Sequence, residues 1–457
     1  MERGAEYHEM MTKTKVSSLV IRLGIPTTIT MLITNIYNLV DTYFVGTLGV
    51  SQQGATGILF TLQAIIQAFA FLLGHGSGTH VAKKLAEKDV DGASKFVSTA
   101  FYSGILIGGL LCLFGIIFLE PFMLLLGSSD TILPYANQYG LWVLISAPFL
   151  IGSLVINNNL RYEGKAFFAM IGMTAGALLN ILGDFVFINL MGLGVFGAGM
   201  STGISQIVSF IILVVFFIVR GQSRITIKMV SFEWRLHLAI IKAGFPSLLR
   251  QGLASISGGV LNNLTKPFGD AAVAAISVVN RYSNFLMCVG MGVGQGLQPV
   301  AAYNYARKEY GRVRDGCIFT VLFSSGVVAL LVIPSLIIPN IIVSWFNTDA
   351  EVIELGTYAL RIAAISLLFV PISVVINMAL QSVRRSFSSS FLSTLRNGII
   401  FIPIIFILVS GAGLGFKGVA WAQPISDLIT FLISLPFFIV FVREMGKKEK
   451  EKKQAEA

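Results

Sequence analysis

Two aspartates stand where acidic side chains are expensive. Asp41 closes the run Asn35-Ile36-Tyr37-Asn38-Leu39-Val40-Asp41, and Asp184 closes Asn180-Ile181-Leu182-Gly183-Asp184; both runs lie inside long apolar stretches. A carboxylate in hydrocarbon is costly unless it faces a cavity or has a partner, so each is a functional candidate by default. Asn180 and Asp184 are four residues apart and share one face of a helix. Asn157 and Thr202, in neighbouring apolar segments, could add uncharged oxygens. Two carboxylates with amide and hydroxyl oxygens in a low dielectric suit a proton or a hard cation such as Na⁺, and the residue types do not choose between them. Buried polar packing is the competing reading, because polar side chains also hold membrane helices together.

Other polar and aromatic residues carry weaker signals. Arg281, with Asn280 and Asn284, could line a cavity, pair with a carboxylate or snorkel to the membrane surface. Asp427 is a lesser proton-site candidate. Tyr37, Tyr139, Phe149, Phe285 and Met287 could line an adaptable pocket for flat, lipophilic molecules, although such residues in apolar segments more often pack or face lipid. Gly192-x-Gly194-x-x-Gly197 matches a dinucleotide fingerprint but follows no strand, and Gly413-x-Gly415-x-x-Gly418 repeats it, so both read as tight turns. No Walker sequence is present. The four histidines do not fall at metal-ligand spacing, and Cys112, Cys288 and Cys317 read as small core residues.

The elements that must position these residues follow from composition. Of 457 residues 55% are hydrophobic and 12% charged, about half the charge of a soluble domain. The apolar residues fall in runs near the roughly 20 residues that a helix needs to cross hydrocarbon. Twelve spans are predicted: 17–46, 54–80, 97–120, 136–160, 166–190 and 197–220, then 240–265, 273–303, 316–345, 355–380, 388–410 and 418–442. The fold class is therefore all-α and integral to the membrane. The domain reading is a six-helix lobe over 1–220, a linker over 221–239, a second lobe over 240–443 and a basic tail over 444–457. No secretory signal precedes the first span, which is expected to serve as the insertion signal.

The formal charge of +10 is topology and does not indicate a nucleic-acid partner. Basic residues cluster in alternate loops: around Lys83 to Lys95, Arg161 and Lys165, Arg220 to Lys242, Arg307 to Arg314, Arg384, Arg385 and Arg396, and the tail after Arg443. By the positive-inside rule these loops and both termini are cytoplasmic, in the cell's inner membrane.

The halves repeat. Shifting the second half back by 220 places Pro246 on Pro26, Gly269 on Gly49, Gly294 and Gly296 on Gly74 and Gly76, and Asn377 on Asn157. With one residue inserted, Gly418 falls on Gly197 and Ser426 on Ser205. Parallel repeats of six spans suit alternating access about a midplane site. The repeat is also an internal control: Asp41 falls on Leu261, Asn180 on Ile400, Asp184 on Ile404 and Thr202 on Gln423, while Asn157 alone keeps its type. One-sided placement favours a specific task in the first half.

Pro26 to Gly49 with Tyr37-Asn38-Leu39-Val40-Asp41, Gly74-His75-Gly76-Ser77-Gly78, Leu160-Arg161-x-Glu163-Gly164, Asn180 to Asp184 and Gly197 to Thr202 follow in an order that resembles the multidrug and toxic compound extrusion (MATE) transporters, in detail the DinF/MepA-like branch. The resemblance implies two six-helix lobes and efflux driven by inward H⁺ or Na⁺. It also implies a first-lobe cation site at Asp41, Asn157, Asn180, Asp184 and Thr202. The expected protein is a cation-coupled antiporter, not an enzyme. It would export amphipathic, cationic small molecules as a monomer, with no cofactor beyond the coupling ion. The candidate substrate cavity is Tyr37, Tyr139, Phe149, Arg281, Asn284 and Met287. A lipid-linked oligosaccharide flippase of the same superfamily is the nearest alternative, and an intramembrane aspartyl enzyme a remote one.

Overall fold

The structure is a computed structural model and describes residues 2–456. Helices make up the chain from end to end, with no strand among the described residues. In a medium without water each helix satisfies its own backbone groups, which is why apolar runs of this length take no other form. The first six spans are Val16–Gly46, Val50–Ala86, Val90–Ile117, Leu133–Tyr162, Ala166–Asp184 continued by a π-helical turn Phe185–Leu190, and Gly194–Arg220. The second six begin with Trp234–Thr265, Asp270–Ala306 and Tyr310–Ile337. The tenth is the pair Ala350–Leu367 and Val370–Ser382, bent by 47° just ahead of Pro371, and the eleventh and twelfth are Ser386–Gly411 and Phe416–Glu456. Among the described residues ten helices are long and apolar enough to cross a membrane, and the bent pair makes an eleventh. Trp234–Thr265 is the counterpart of the first span; at 32 residues it is long enough, but its basic and amide side chains lower its hydropathy.

The repeat is legible in the backbone. Gly192 and Gly194 have φ of 66° and 57°, and Gly413 and Gly415 have 62° and 59°. The two glycine fingerprints are therefore left-handed turns at equivalent places, where a missing Cβ removes the steric penalty. Lys88 and Lys308 both have φ 61°, and Gly164 at 77° answers to Arg384 at 63°. Each of these residues follows a long helix and ends it in the left-handed conformation. The symmetry is imperfect at caps: Asp89 Oδ1 accepts from Gly92 N at 2.7 Å, whereas Glu309 turns away to take Lys452 Nζ at 2.8 Å.

Two features lie outside the sequence expectations. A helix Glu2–Lys13 precedes the first span, and the Tyr7 hydroxyl donates to the Tyr162 carbonyl at 2.6 Å. The basic residues after Arg443 continue the last helix to Glu456, where Glu444 pairs with Arg385 and Lys448.

The chain forms two compact units. One holds the segment up to Met10 and Ile29–Gln251; the other holds Met11–Thr28 and Gly252 onward. Each unit thus contains part of the first span and part of the seventh. Within the first unit Gly244 meets the second span so closely that a Cβ would lie 1.8 Å from the Leu72 carbonyl oxygen. Within the second unit the equivalent Gly24 faces Gly296, where a Cβ would lie 2.6 Å from Gly24 backbone atoms. Small residues let helix backbones approach in a membrane, and both units use the same crossing.

Candidate functional site

The first unit brings Asp41 and Asp184 together with polar side chains from four spans. Asp41, near the end of the first span, is 4% exposed, and Asp184, at the last α-helical residue before the π turn of the fifth, is 0% exposed. The fourth span supplies Tyr139, whose hydroxyl lies 3.0 Å from both Asp41 carboxylate oxygens and 3.0 Å from Thr202 Oγ1. The sixth span supplies Thr202, which takes Asn180 Nδ2 at 3.1 Å, and Ser201, which donates to the Asn180 carbonyl at 2.8 Å. Asp184 lies within the field of Asp41, and Tyr37 lies within the field of both.

Donors and acceptors in this cluster do not balance. Asp41 is served by Tyr139, but neither Asp184 carboxylate oxygen nor Asn180 Oδ1 makes a hydrogen bond of normal geometry among the described residues, and the nearby Ser201 hydroxyl gives its proton to the Asn180 carbonyl. Buried acceptors without donors are rare in native proteins and are satisfied by a water, a cation or a proton. Beside them lies a cavity of about 50 Å³, lined by Tyr37, Asn180, Thr202 and Gln206 among others. Liquid water occupies roughly 30 Å³ per molecule. The space suits an ion or a water and is too small for an organic molecule.

The remaining candidates are placed elsewhere. Asn157 is not hydrogen-bonded into the cluster; its Nδ2 donates to the Ala169 carbonyl at 3.1 Å. Asn377 makes the equivalent bond to the Ser389 carbonyl at 2.6 Å. Of the five cation-site candidates, the one that keeps its type in both halves makes the same inter-span contact in both. Tyr37 lines the small cavity, while Tyr139 is a carboxylate partner and Phe149 packs edge-on against Phe210 at 5.4 Å. In the second unit Asn284 and Met287 line a larger cavity, which Arg281 does not reach. Arg396 is not a loop residue: it lies within the eleventh span, paired through Nε with Asp427 at 2.8 Å.

Tyr139, a candidate substrate-cavity residue in the sequence, is instead a partner of Asp41, and the repeat carries a signal for that role. Its counterpart is Ala359, and Ser201 falls on Ala422, so both share the one-sidedness of Asp41 and Asp184. In the second unit the matching positions Leu261, Ala359 and Ile404 belong to a hydrophobic cluster. Where the first half has its acidic cluster, the second half has an apolar core.

A twelve-helix membrane chain with two repeated halves and an unmatched buried acidic cluster in one of them has the architecture of a transporter. A family model described as MatE matches residues 26–186 and 246–407, and the chain belongs to that family, whose members are transporters and not enzymes. It is similar to the multidrug export protein MepA of Staphylococcus aureus, with 29% identity over 427 residues covering 93% of each chain. The MepA protein of Staphylococcus saprophyticus is 27% identical with the same coverage. Among solved structures, MATE in complex with MaL6 superposes with a TM-score of 0.90 at 22% identity, covering 96% of this chain and 99% of that one. An outward-facing multidrug resistance MATE family transporter of the MOP superfamily gives 0.89 at 22% identity, with 96% and 98% covered. These likenesses establish the fold.

Proposed function

We propose that the chain is a cation-coupled antiporter that exports amphipathic, cationic small molecules by alternating access, as a monomer in the cytoplasmic membrane with both termini inside. The observation that carries the reading is the buried Asp184 carboxylate without a donor, beside Asn180 Oδ1 and within the field of Asp41. Oxygens of this kind bind H⁺ or Na⁺, and binding removes a negative charge from a low-dielectric site. Asp41 sits on the first span, and Tyr139 and Thr202 tie it to the fourth and sixth. A change of charge at Asp41 therefore acts on how the first span is held, and Pro26 earlier in that span is a place where it can bend. The names of the staphylococcal relatives support drug export, and the basic loop clusters support the orientation.

Ethidium efflux from reconstituted vesicles under separately imposed pH and Na⁺ gradients tests the reading. Flux driven by one gradient and abolished by Asp41→Asn is expected. Undiminished gradient-driven flux in Asp41→Asn, with Asp41→Glu also unchanged, removes the site from the mechanism.

A further inference from the structure

The second unit encloses a cavity of about 230 Å³, several times the space beside the acidic cluster and close to the lower bound for small-molecule pockets. Leu261, Val279, Met287, Leu367 and Phe401 give it apolar walls, and at one end sits the ion pair between Arg396 and Asp427. The two charges are not equally available: the Arg396 side chain is 26% exposed and that of Asp427 is 1%. Asp427 is also satisfied, taking Arg396 Nε at 2.8 Å, Gln423 Nε2 at 2.8 Å and Ser366 Oγ at 3.1 Å. Three donors already serve it, although it too lines the cavity. The guanidinium has N–H groups to spare, because its Nη2 reaches Asp427 only at 3.5 Å and the edge formed by Nη1 and Nη2 is not otherwise engaged. That edge matches the spacing of carboxylate oxygens. Ser283, whose buried hydroxyl has no hydrogen-bond partner among the described residues, also lines the space, with Asn280 and Asn284.

The repeat shows that this ion pair is specific to the second half. Ser366 donating to Asp427 reproduces Ser146 donating to Gln206 at 2.6 Å, so Asp427 occupies an inherited socket with a charge added. Arg396 falls on Gly176, where even a Cβ would lie 2.7 Å from Ser209 Cβ, so the first unit has no room for an arginine there. Arg396 and Asn397 are carried on a π-helical turn, Leu395–Ile399, inside a span whose counterpart is regular α-helix over the same stretch. Such turns inside helices recur at functional sites.

We propose that the second-unit cavity is a binding site for a small lipophilic organic anion, whose carboxylate docks on the free edge of Arg396 while its apolar body lies against Met287 and Phe401. Asp427 orients the guanidinium and holds the charge balance when the site is empty of ligand. This site has the opposite charge preference to the cluster around Asp184, and it stands apart from the coupling reading because binding needs no ion gradient.

The test is a fluorescence titration of the purified full chain in detergent with dansylglycine and, in parallel, its uncharged amide, each corrected for empty micelles. The acid is expected to bind about tenfold or more tighter than the amide, the size of a charge-assisted bidentate contact. That preference is lost in Arg396→Gln, partly kept in Arg396→Lys and unchanged in Arg281→Gln. Should Arg396→Gln fail to fold with Asp427 left unpaired, Arg396→Gln/Asp427→Asn leaves no buried charge and must also lose the preference. Equal binding of acid and amide by the unaltered protein, or a preference that survives in the folded double variant, overturns the proposal.

Discussion

Asp41 and Asp184 are both buried, yet only one of them has a donor, and that difference organises the site. Tyr139 has one O–H proton to give, and it stands equidistant from both Asp41 oxygens. Asp184 has none among the described residues, so its charge, when present, is left without a hydrogen-bond donor. The acidic residues were legible in the sequence because a charge inside an apolar run has no cheap structural explanation. Tyr139 is legible only as a cavity aromatic and not as the partner of Asp41, because its hydroxyl's target lies 98 residues away. Asn157 illustrates the converse. Its residue type fits a cation site, but the bond to Ala169 recurs as Asn377 to Ser389, and a contact kept in both halves holds the fold. Asn157→Ala should therefore lower the thermal stability of the detergent-solubilised protein by about 1 kcal/mol, and Asn377→Ala by more, because Asn377 also donates to Ser393 Oγ at 2.8 Å. Neither should change which cation gradient drives flux. A change of ion preference in Asn157→Ala alone would return that residue to the site.

At the scale of elements, close crossings are set by glycines that the sequence shows only as a repeat. Pro26 and Pro246 were visible as helix punctuation, but nothing in composition tells that Gly244 touches the second span or that Gly24 meets Gly296. In the eleventh span, Arg396 falls inside the predicted 388–410 yet reads with the loop arginines Arg384 and Arg385; its pairing with Asp427 shows that it belongs to the span. The seventh span supplies a controlled comparison. A Cβ on Gly244 would strike the Leu72 carbonyl at 1.8 Å, whereas a Cβ on Gly252 of the same helix meets nothing within 4 Å. Gly244→Ala is expected to destabilise by on the order of 2 kcal/mol through forced helix separation. Gly252→Ala should be neutral or stabilise by up to about 1 kcal/mol through helix propensity. Melting curves in detergent measure both; equal effects would show that helix propensity, not the crossing, governs this span.

For the molecule as a whole, the segment joining the halves is fastened along its length to the first unit. Arg224 N donates to Ser94 Oγ at 2.9 Å, Thr226 N to Ser98 Oγ at 3.1 Å and Ser231 N to Thr99 Oγ1 at 3.0 Å. At its start the fully buried Glu163 accepts from the Ser223 hydroxyl and from the backbone N–H groups of Gln222 and Ser223. Shifted by the repeat, Glu163, Ser94, Ser98 and Thr99 become Val383, Arg314, Ile318 and Phe319. The second half has kept none of these acceptors. Burial pushes the Glu163 carboxyl up to about 7, from an ordinary 4.5, against the hydrogen bonds that pull it down. The folded protein therefore keeps this proton until near neutrality, while the unfolded chain releases it near 4.5. Between those values the folded state binds more protons, so stability falls as pH rises. The contribution is complete below the lower value and lost by the upper, and amounts to roughly 3 kcal/mol at most. Glu163→Gln keeps the shape without the titration. The melting temperature of the unaltered protein minus that of Glu163→Gln should decline between pH 4.5 and 7 and level off above. A difference that stays flat across that window would mean that Glu163 is ionised throughout, and that the linker is held by a permanent charge.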